Sequence, residues 1–298
     1  MRLYCHPELV HQVLVVENFE PGYVIPWREF LLREYGHLSP AVKFVPAETL
    51  AEMPAADGWW TQQVLKLMVT QIIETDRYVA LDAKNHLIAP LSREFLESPT
   101  GKPRINGYSY ADHPLRPALE RTLRYVGIDP ATHTPFFPRT TTPFTFITSY
   151  VQDVIAQVSK REGAPFPTAF ISNKLTEFFL YSGYLVSCGK LNEIYEFSQP
   201  ICPIVWAHTA TVTACQNAVE AAQDTRLPFF SIHRRAMAAP AQPAREVIAK
   251  FWQQRRLFDS VESGVSFIAD PNRGRPAPTH QIRRRLGALL SRIRRLTR

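Results

Sequence analysis

The stretch RYVALDAKNHLIAP, residues 77 to 90, places charged groups directly after a short apolar run. The run is VAL at 79 to 81, and its composition predicts a buried strand. Asp82 and Lys84 follow it, and because alternate residues of an extended chain point the same way, we expect them to share one face. Ligands of open α/β sheets bind at the carboxyl ends of the strands. The stretch therefore predicts a core strand with a ligand site at its end.

The residues before this stretch predict two strands that alternate with two helices. The strands are HQVLVVEN (11–18) and AVKFVPAETL (41–50), and the helices are PWREFLLREYG (26–36) and DGWWTQQVLKLMVTQII (57–73). This alternation is typical of a parallel sheet with crossover helices. We therefore expect an α/β fold with a Rossmann-like, mostly parallel sheet flanked by helices. No strand is predicted ahead of these segments, so the expected first strand of such a sheet is missing, and the two explanations are a truncated N-terminus and a start codon that is assigned late.

The rest of the chain divides into segments by composition. We predict a loop-rich region at 100–145, helices at 150–163, 172–188, 212–223 and 244–258, and a late strand at 201–208. Ser172 or Asn173 is the expected cap of the second of these helices. The predicted organisation is two halves of one domain at 1–100 and 101–235, a helical extension at 236–268, and a linker with a tail helix at 269–298.

Charge is unevenly distributed along the 298 residues. The formal net charge is +7, from 34 basic and 27 acidic residues. Residues 279–298 contain seven arginines and no acid, so removing them leaves 27 basic against 27 acidic residues. A neutral body argues against nucleic-acid binding. No apolar run approaches the roughly 20 residues of a membrane-spanning helix. The four cysteines are far apart and lack metal-ligand spacing, which favours buried, reduced thiols in a cytoplasmic protein.

Three segments carry a resemblance to a known class of enzymes. They are GWWTQQVLKL (58–67), YVALDAKNHLIAP (78–90) and SNKLTEFFLYSGYL (172–185). In this order they resemble nucleotide-sugar glycosyltransferases of the GT-A type, and more narrowly an uncharacterised bacterial glycosyltransferase-like family with LDAKNH in place of Asp-x-Asp. The resemblance covers roughly residues 11–210. It implies transfer of a sugar from a nucleotide donor, which is a co-substrate, with no further cofactor.

The LDAK sequence departs from the Asp-x-Asp pattern at its second acid. The resemblance matches Asp82 with the first acid, and Lys84 replaces the second acid, which usually binds a divalent metal. An ammonium group repels a cation and neutralises phosphate charge, so a metal-independent site follows. Lys84 then contacts the diphosphate, Asp82 contacts ribose or sugar hydroxyls, and Asn85 and His86 orient the donor. The alternative is a surface salt bridge worth less than about 1 kcal/mol.

The helix at 57–73 supplies further candidate donor contacts. Gln63 and Lys66 lie three residues apart and are therefore neighbours on one polar edge. The hypothesis assigns Gln63 to the base or ribose and Lys66 to a phosphate. The alternative is that both belong to the solvated face of an amphipathic helix. Trp59 and Trp60 offer a stacking plane for a ring, and we expect one of them to belong to the core.

Glu177 is the candidate catalytic base. It lies in the first turn of a predicted helix, where the helix dipole favours a carboxylate, and it matches the acid that faces the acceptor in the resembling enzymes. In an inverting transfer such a carboxylate deprotonates the attacking hydroxyl. The alternative is a plain capping acid. Because a retaining transfer needs no such base, the stereochemical outcome stays open.

Further polar residues are candidate contacts of lower specificity. Tyr108, Tyr110, Asp112 and His113, in a predicted loop, and Tyr181 are assigned to the acceptor, although surface-loop composition also explains the loop residues. His208 ends the late strand and is assigned to a phosphate or to a structural role. If a divalent metal is bound after all, Asp82 and His208 are its first expected ligands.

The basic tail predicts an amphipathic helix. Its apolar positions repeat at helical spacing and its arginines occupy the rest: Ile282, Leu286, Leu289, Leu290, Ile293 and Leu296 against Arg283, Arg284, Arg285, Arg292, Arg294 and Arg295. Such a helix after a flexible linker is typical of peripheral binding to anionic lipid. A helix packed on the body or on a partner is the alternative.

Taken together, these patterns predict a cytoplasmic glycosyltransferase that associates peripherally with the bacterial inner membrane and acts on a glycan or lipid-linked acceptor. The rival hypothesis is a non-catalytic module with a degenerate GT-A fold that holds a glycan or partner at the membrane. A nucleic-acid-binding role would depend on the tail arginines alone.

Overall fold

The computed structural model describes residues 1–18, 27–56, 58–206, 210–224, 227–233, 236 and 242–269. Asp57, His208 and the predicted tail helix lie outside the described residues. The described part of the chain has a mixed α/β fold, as predicted. Its helices are α1 (Trp27–Tyr35), α2 (Gly58–Met68), α3 (Arg93–Leu96), α4 (Arg116–Tyr125), α5 (Thr148–Glu162), α6 (Phe166–Ser172), α7 (Glu177–Ser187), α8 (Leu191–Ile194), α9 (Val212–Ala221), α10 (Gln242–Gln254) and α11 (Val261–Ala269).

The described strands are short. They are β1 (Val13–Glu17), β2 (Val42–Pro46), β3 (Arg77–Ala80), β4 (Asn85–Leu87), β5 (Arg104–Ile105), β6 (Gly107–Tyr108), β7 (Phe137–Pro138), β8 (Phe144–Ile147), β9 (Glu196–Phe197), β10 (Ile204–Val205) and β11 (Phe229–Ile232). The predicted order of strand, helix, strand, helix, strand over the first 80 residues is therefore confirmed.

The pairing of these strands differs from the expected mostly parallel sheet. Parallel pairs join β1 to β2, β5 to β9 and β10 to β11. Antiparallel pairs join β3 to β8, β4 to β11 and β6 to β7. Within the described residues the result is five small sheets, not one continuous Rossmann-like sheet. The physical reason is that β3 and β4 each take an antiparallel partner from much later in the chain.

Strand β3 is covered on one face only, so the prediction of a fully buried run at 79–81 is wrong. Ala80 is 7% exposed, whereas Val79 and Leu81 are 37% and 38% exposed. Tyr78 and Ala80 pack on the main core, and Val79 between them points outward. This alternation is typical of an antiparallel strand with one solvated face.

The main core fixes α2 and α7 against β3 and β8. Val64 and Leu67 from α2 are completely buried in it. The Phe146 ring of β8 stacks on Tyr78 at 5.2 Å and on Phe178 of α7 at 5.7 Å between ring centroids. Burying one such side chain stabilises the fold by about 1.5–3 kcal/mol. These contacts hold the end of β3 between the two helices.

The predicted helix at 172–188 is confirmed as α7, but it begins five residues later than predicted, after a turn that follows α6. Helix α6 ends at Ser172, and α7 begins only at Glu177. Lys174 between them has φ of 51°, a left-handed conformation that an α-helix does not accommodate. Ser172 and Asn173 therefore do not cap α7. Thr176 occupies that position, and its side chain makes no capping hydrogen bond.

Most other helices agree with the sequence expectations. Helix α5 ends at Gly163, which has φ of 60° in the left-handed region that favours glycine. Helices α9 and α10 occupy the two later predicted segments. Helix α10 packs closely on α11, where a side-chain carbon added to Gly264 would lie 3.0 Å from the Ala249 Cβ. Among the described residues, no helix has the length and apolar character needed to cross a bilayer.

The two predicted halves of the body interleave. Strand β3 from 1–100 pairs with β8 from 101–235, and β4 pairs with β11 across the same boundary. A second core contains Phe230 of β11 and Trp252 of α10. The four cysteines form no disulfide, and Cys188 is exposed although burial was expected of all four.

Candidate functional site

Four charged side chains from three segments form one connected group, here called the ion cluster. Lys66 lies on α2, Asp82 and Lys84 lie in the turn after β3, and Glu177 is the first residue of α7. The Lys66 Nζ is 2.8 Å from Asp82 Oδ1 and 3.1 Å from Glu177 Oε1. The Lys84 Nζ is 2.8 Å from Asp82 Oδ2. The charges alternate along the cluster, and their formal sum is zero.

The ion cluster is largely withdrawn from solvent. The exposed fraction is 7% for the Glu177 side chain, 15% for Lys66, and 18% for both Asp82 and Lys84. The alternative interpretation of the Asp82–Lys84 pair as a plain surface salt bridge is therefore wrong. Removing four charges from water carries a desolvation cost that their mutual attraction offsets only in part. Buried charged groups with perturbed pKa values cluster at functional sites.

Burial and charge act in opposite directions on the members of the cluster. Burial would raise the pKa of Asp82, but Lys66 and Lys84 outweigh it and hold this pKa well below its ordinary value. Burial would lower the pKa of Lys66, but Glu177 and Asp82 raise it. For Glu177 burial dominates and raises the pKa, although Lys66 opposes the shift. Glu177 is therefore the stronger base of the two carboxylates.

The proximity of Asp82 to Lys84 comes from a turn, and not from an extended strand as predicted. Strand β3 ends at Ala80, and residues 83 and 84 form a turn closed by a hydrogen bond from Asn85 N to Asp82 O at 2.9 Å. The chain then enters β4, which belongs to a different sheet. The Lys84 ammonium also lies 5.3 Å from the Trp206 ring centroid.

The polar edge of α2 is not a solvated face. Lys66 bridges the two carboxylates, and Gln63 is only 2% exposed. The Gln63 Oε1 accepts a hydrogen bond from Glu177 N at 3.3 Å, and its Nε2 donates to Trp59 O at 3.2 Å. Both ends of the amide are used inside the protein, so the assignment of Gln63 to the base or ribose is wrong. It holds the start of α7 against α2.

Asn85 is a structural residue and does not point at a donor, which corrects its predicted role. Its Oδ1 accepts hydrogen bonds from Asp82 N and from Thr142 Oγ1, both at 2.7 Å. Its Nδ2 donates to Ser231 Oγ at 2.8 Å and to Thr142 O at 3.3 Å. The side chain thus ties the Asp82 turn to the start of β8 and to β11.

The two histidines assigned to the donor do not join the ion cluster. The His86 ring packs against Trp252 of α10, with ring centroids 4.8 Å apart. Burial lowers the pKa of His86 to about 4, so this ring is neutral near pH 7. It lies on the opposite side of β4 from Asn85, because successive residues of a strand alternate. Its assignment as a donor contact is therefore wrong. His208 lies outside the described residues.

The two tryptophans of α2 divide as expected. Trp60 packs against the main core, with its ring 6.4 Å from Phe170. Trp59 is 45% exposed, and its ring meets Trp60 edge-on at 4.7 Å. An exposed indole held by a second ring suits stacking on a planar group. The assignment of Trp59 to a nucleotide base stays a prediction.

The predicted acceptor residues separate into buried and accessible side chains. Tyr110 and Tyr181 are fully buried, and their hydroxyls bond to Pro138 O at 3.0 Å and to Tyr195 OH at 2.8 Å. Both are core residues, so these two assignments are wrong. Tyr108 and His113 are partly buried and bond to each other at 3.1 Å. Asp112 is exposed near them. The roles of these three stay predictions.

The ion cluster does not suit a divalent metal. Both oxygens of Asp82 contact ammonium groups, and a cation would have to displace Lys66 or Lys84. Over the residues that the structure describes, no group of three histidine, cysteine, aspartate or glutamate side chains could hold a metal.

Comparison with known sequences assigns a family. A family model described as Family of unknown function (DUF6492) matches residues 1–230. The chain belongs to this family. The match includes every member of the ion cluster and ends within β11. No curated protein sequence matches the chain.

Several residues that build the site were not singled out by the sequence. Thr142 and Ser231 bind Asn85, and Phe178 packs its ring 5.1 Å from the Lys66 ammonium. Thr142 and Ser231 meet Asn85 across 57 and 146 residues of sequence. Of these three residues, Phe178 has a local signal in the sequence, because it directly follows Glu177, the acid at the start of α7.

Proposed function

We propose that the protein transfers a sugar from a nucleotide-sugar donor to a glycan or lipid-linked acceptor of the cell surface. The observation that carries the proposal is the ion cluster, which connects Lys84 at the end of β3 to Glu177 through Asp82 and Lys66. Such a transfer needs a cationic group for the donor diphosphate and a basic carboxylate for the acceptor. The ion cluster contains both groups and connects them.

On the donor side, Lys84 is the group that receives the diphosphate. It contacts Asp82, and a diphosphate carries more negative charge than one carboxylate and competes for it. Asp82 then accepts hydrogen bonds from ribose or sugar hydroxyls, and Lys66 keeps it ionised. Because ammonium groups neutralise the phosphate charge, the proposed reaction needs no divalent metal.

On the acceptor side, Glu177 is the proposed base. In an inverting transfer the acceptor oxygen forms a bond to the anomeric carbon while the bond from that carbon to the diphosphate oxygen breaks. The hydroxyl proton passes to the Glu177 carboxylate, and the nucleoside diphosphate leaves with the bonding electron pair. The raised pKa of Glu177 makes its carboxylate a better proton acceptor than an ordinary glutamate.

The order of elements supports the resemblance to GT-A-type enzymes, although the strands do not form a single parallel sheet. Strands β1 and β2 form a parallel pair around α1, and the Asp82 turn follows α2 and β3. In the proposal this segment forms the donor side, and the exposed Trp59 ring receives the base.

A second candidate function is a non-catalytic module that holds a glycan or a partner. The exposed fraction of the whole Glu177 residue is 5%, and the side-chain amides of Gln63 and Asn85 make all their hydrogen bonds within the protein. A cluster that served only to hold α2, α7 and the turn together would have these properties. Nucleotide binding separates the two functions.

The experiment is titration of the protein with uridine and cytidine diphosphates, followed by a turnover assay with a panel of nucleotide-sugars, each with and without chelator. We expect diphosphate binding that survives the chelator, and a Lys84→Met variant that binds at least about tenfold more weakly, since a charge-assisted hydrogen bond is worth about 1.5–3 kcal/mol. Lys190→Met is the matched control, because Lys190 pairs with Glu193 at the surface.

The Glu177→Gln variant tests the acceptor side. It should bind the diphosphate as the unmodified protein does, and lose turnover by about 10²–10⁴-fold, which is the usual contribution of a general base. Absence of any diphosphate binding would favour the non-catalytic module. Loss of all activity on addition of chelator would contradict the role of Lys84.

A location at the inner membrane surface belongs to the same proposal. The arginines of residues 279–298 would attract anionic lipid and bring the site to a lipid-linked acceptor.

A further inference from the structure

Arg139 is a charged residue whose guanidinium meets no counter-charge among the described residues. It follows β7, is partly buried, and its Nε atom is fully enclosed without a hydrogen-bond partner. No carboxylate lies within ion-pair distance of it among the described residues. Its side chain instead lies against the Tyr108 ring, 5.3 Å from the ring centroid. A guanidinium carries five N–H donors, and leaving the enclosed Nε–H without an acceptor costs free energy.

The neutral groups around Arg139 do not supply the missing charge. Burial raises the pKa of the nearby Cys202 thiol to about 12, although Arg139 opposes this shift, so the thiol stays protonated near pH 7. Burial also raises the pKa of Tyr110 far above its ordinary value. The desolvated guanidinium has its own pKa lowered by burial. The part of the chain that the structure describes therefore maintains a positive charge here without supplying an anion.

A small polar cavity adjoins this guanidinium. Its volume is about 20 Å³, and its walls include Arg139, Asn106, Gln199 and Thr142. The Gln199 Nε2 is enclosed and has no hydrogen-bond partner, so a second donor is unused in the same wall. Asn106 is held by a hydrogen bond from its Nδ2 to Gln199 O at 2.8 Å. A space of this size admits about one water-sized group.

The cavity is joined to the Asp82 turn through two side chains, Thr142 and Asn85. Thr142 lines the cavity, and its Oγ1 donates to Asn85 Oδ1 at 2.7 Å. The same Asn85 oxygen accepts the hydrogen bond from Asp82 N. A ligand group at the cavity would therefore lie beside the turn that carries Lys84.

We propose that Arg139 binds an oxyanion, a carboxylate or phosphate group of a sugar ligand, which enters the cavity beside Thr142 with one oxygen. The planar guanidinium fork matches such a group with two parallel hydrogen bonds. Gln199 adds a further donor, and the remainder of the ligand stays at the mouth, because the cavity admits no ring. Oxyanion binding stands independently of the proposed transfer, and only the description of the ligand as a sugar rests on it.

Calorimetric titration with glucuronate, inorganic phosphate and glucose tests the site. The unmodified protein should bind glucuronate or phosphate and not glucose, and the anion that binds identifies the source of the oxyanion. An Arg139→Gln variant should bind that anion at least about tenfold more weakly. Arg124→Gln is the matched control, because Arg124 is an exposed arginine of α4 that pairs with Glu120. Its affinity should equal that of the unmodified protein.

The melting temperature without ligand separates a binding role from a structural one. Because Arg139 has no counter-charge to lose, the Arg139→Gln protein should melt at the same temperature as the unmodified protein or higher. Binding of neither anion, or equal binding by the variant, overturns the inference. A lower melting temperature with unchanged anion affinity would also overturn it, since Arg139 would then be structural. Anion binding by a protein that binds no nucleotide would leave this site standing and remove only the proposed transfer.

Discussion

At the scale of single residues, Lys66 is the side chain on which the ion cluster depends. It is the member that contacts two carboxylates, Asp82 on one side and Glu177 on the other. Its ring contact with Phe178 further limits where the ammonium can move. Without it, Asp82 would keep Lys84, but Glu177 would be a buried carboxylate with no cation within reach. Removing Lys66 therefore destabilises the fold, because it leaves the buried Glu177 carboxylate without a compensating charge.

We predict that Lys66→Met lowers the free energy of unfolding by about 3–5 kcal/mol, the usual effect of breaking a buried ion pair from one side. Urea denaturation at neutral pH measures it. Lys190→Met should change the same quantity by less than about 0.5 kcal/mol, because Lys190 and Glu193 form a surface pair. Equal effects of the two substitutions would mean that the cluster is too well hydrated to need its cation.

The residue types of the ion cluster could be predicted from sequence, but the roles of its neighbours could not. Asp82 and Lys84 follow an apolar run, and Glu177 precedes one, so each leaves a local pattern. Gln63 and Asn85 leave the same kind of pattern and were assigned to a ligand, yet both satisfy backbone groups of the protein. An amide that binds a ligand and an amide that binds a distant backbone group look alike in sequence.

At the scale of elements, the turn from Asp82 to Lys84 is held from outside by Asn85. The amide makes two hydrogen bonds as acceptor and two as donor, and these reach the turn itself, Thr142 and Ser231. The turn after β3, the segment before β8 and β11 therefore meet at one side chain, which joins two sheets. A change there should loosen the turn together with the pairing of β4 and β11.

We predict that Asn85→Ala lowers the free energy of unfolding by about 2–4 kcal/mol, from four hydrogen bonds at about 1 kcal/mol each with partial rescue by water. Asn85→Asp should cost as much or more, since it keeps both acceptor contacts but replaces the two donors with a charged oxygen that faces Thr142 O. Asn192→Ala, at an exposed position of α8, is the control and should be near neutral. Denaturation curves that order the three variants differently would contradict the proposed function of the amide.

Helices were easier to predict than the boundary between two of them. The periodic apolar residues of α2 and α5 give their positions to within a few residues, because the pattern repeats over several turns. The polar run at 172–174 lies at the break between α6 and α7, but the same residues also suit a helix cap, and the sequence does not show that α7 begins only at Glu177. Lys174 in that break has a left-handed backbone.

At the scale of the whole molecule, the mixed α/β class could be predicted, but the pairing of strands could not. Strand β3 pairs with β8, and β4 with β11, across long intervals of sequence. The alternation of strands and helices predicts parallel neighbours, and it holds for β1 and β2. Beyond them the choice of partner depends on which apolar faces remain to be covered, and short strands carry little information about that.

The basic C-terminal segment gives a prediction for the molecule as a whole, because it carries the entire excess of charge over a neutral body. We expect the full chain to bind vesicles that contain phosphatidylserine and to ignore vesicles of phosphatidylcholine. Replacing Arg283, Arg284 and Arg285 with glutamine should weaken binding about a hundredfold, since each arginine near such a surface contributes about 1 kcal/mol. High salt should weaken it as well.

The control for this prediction is a matched triple arginine-to-glutamine variant in the body of the protein, outside the C-terminal segment. Replacing Arg93, Arg116 and Arg124 with glutamine removes the same charge, but from exposed helix positions of the body without the apolar residues that enter a bilayer. Vesicle sedimentation should find this protein bound as tightly as the unmodified one. If both triple variants lose affinity equally, net charge alone attracts the protein, and the arginine-rich segment is no anchor. If neither loses affinity, another part of the chain binds the vesicle, and the arginine-rich segment is again no anchor. If the full chain binds no vesicle at all, the acceptor must reach the ion cluster from solution, which would favour a soluble glycan over a lipid-linked one.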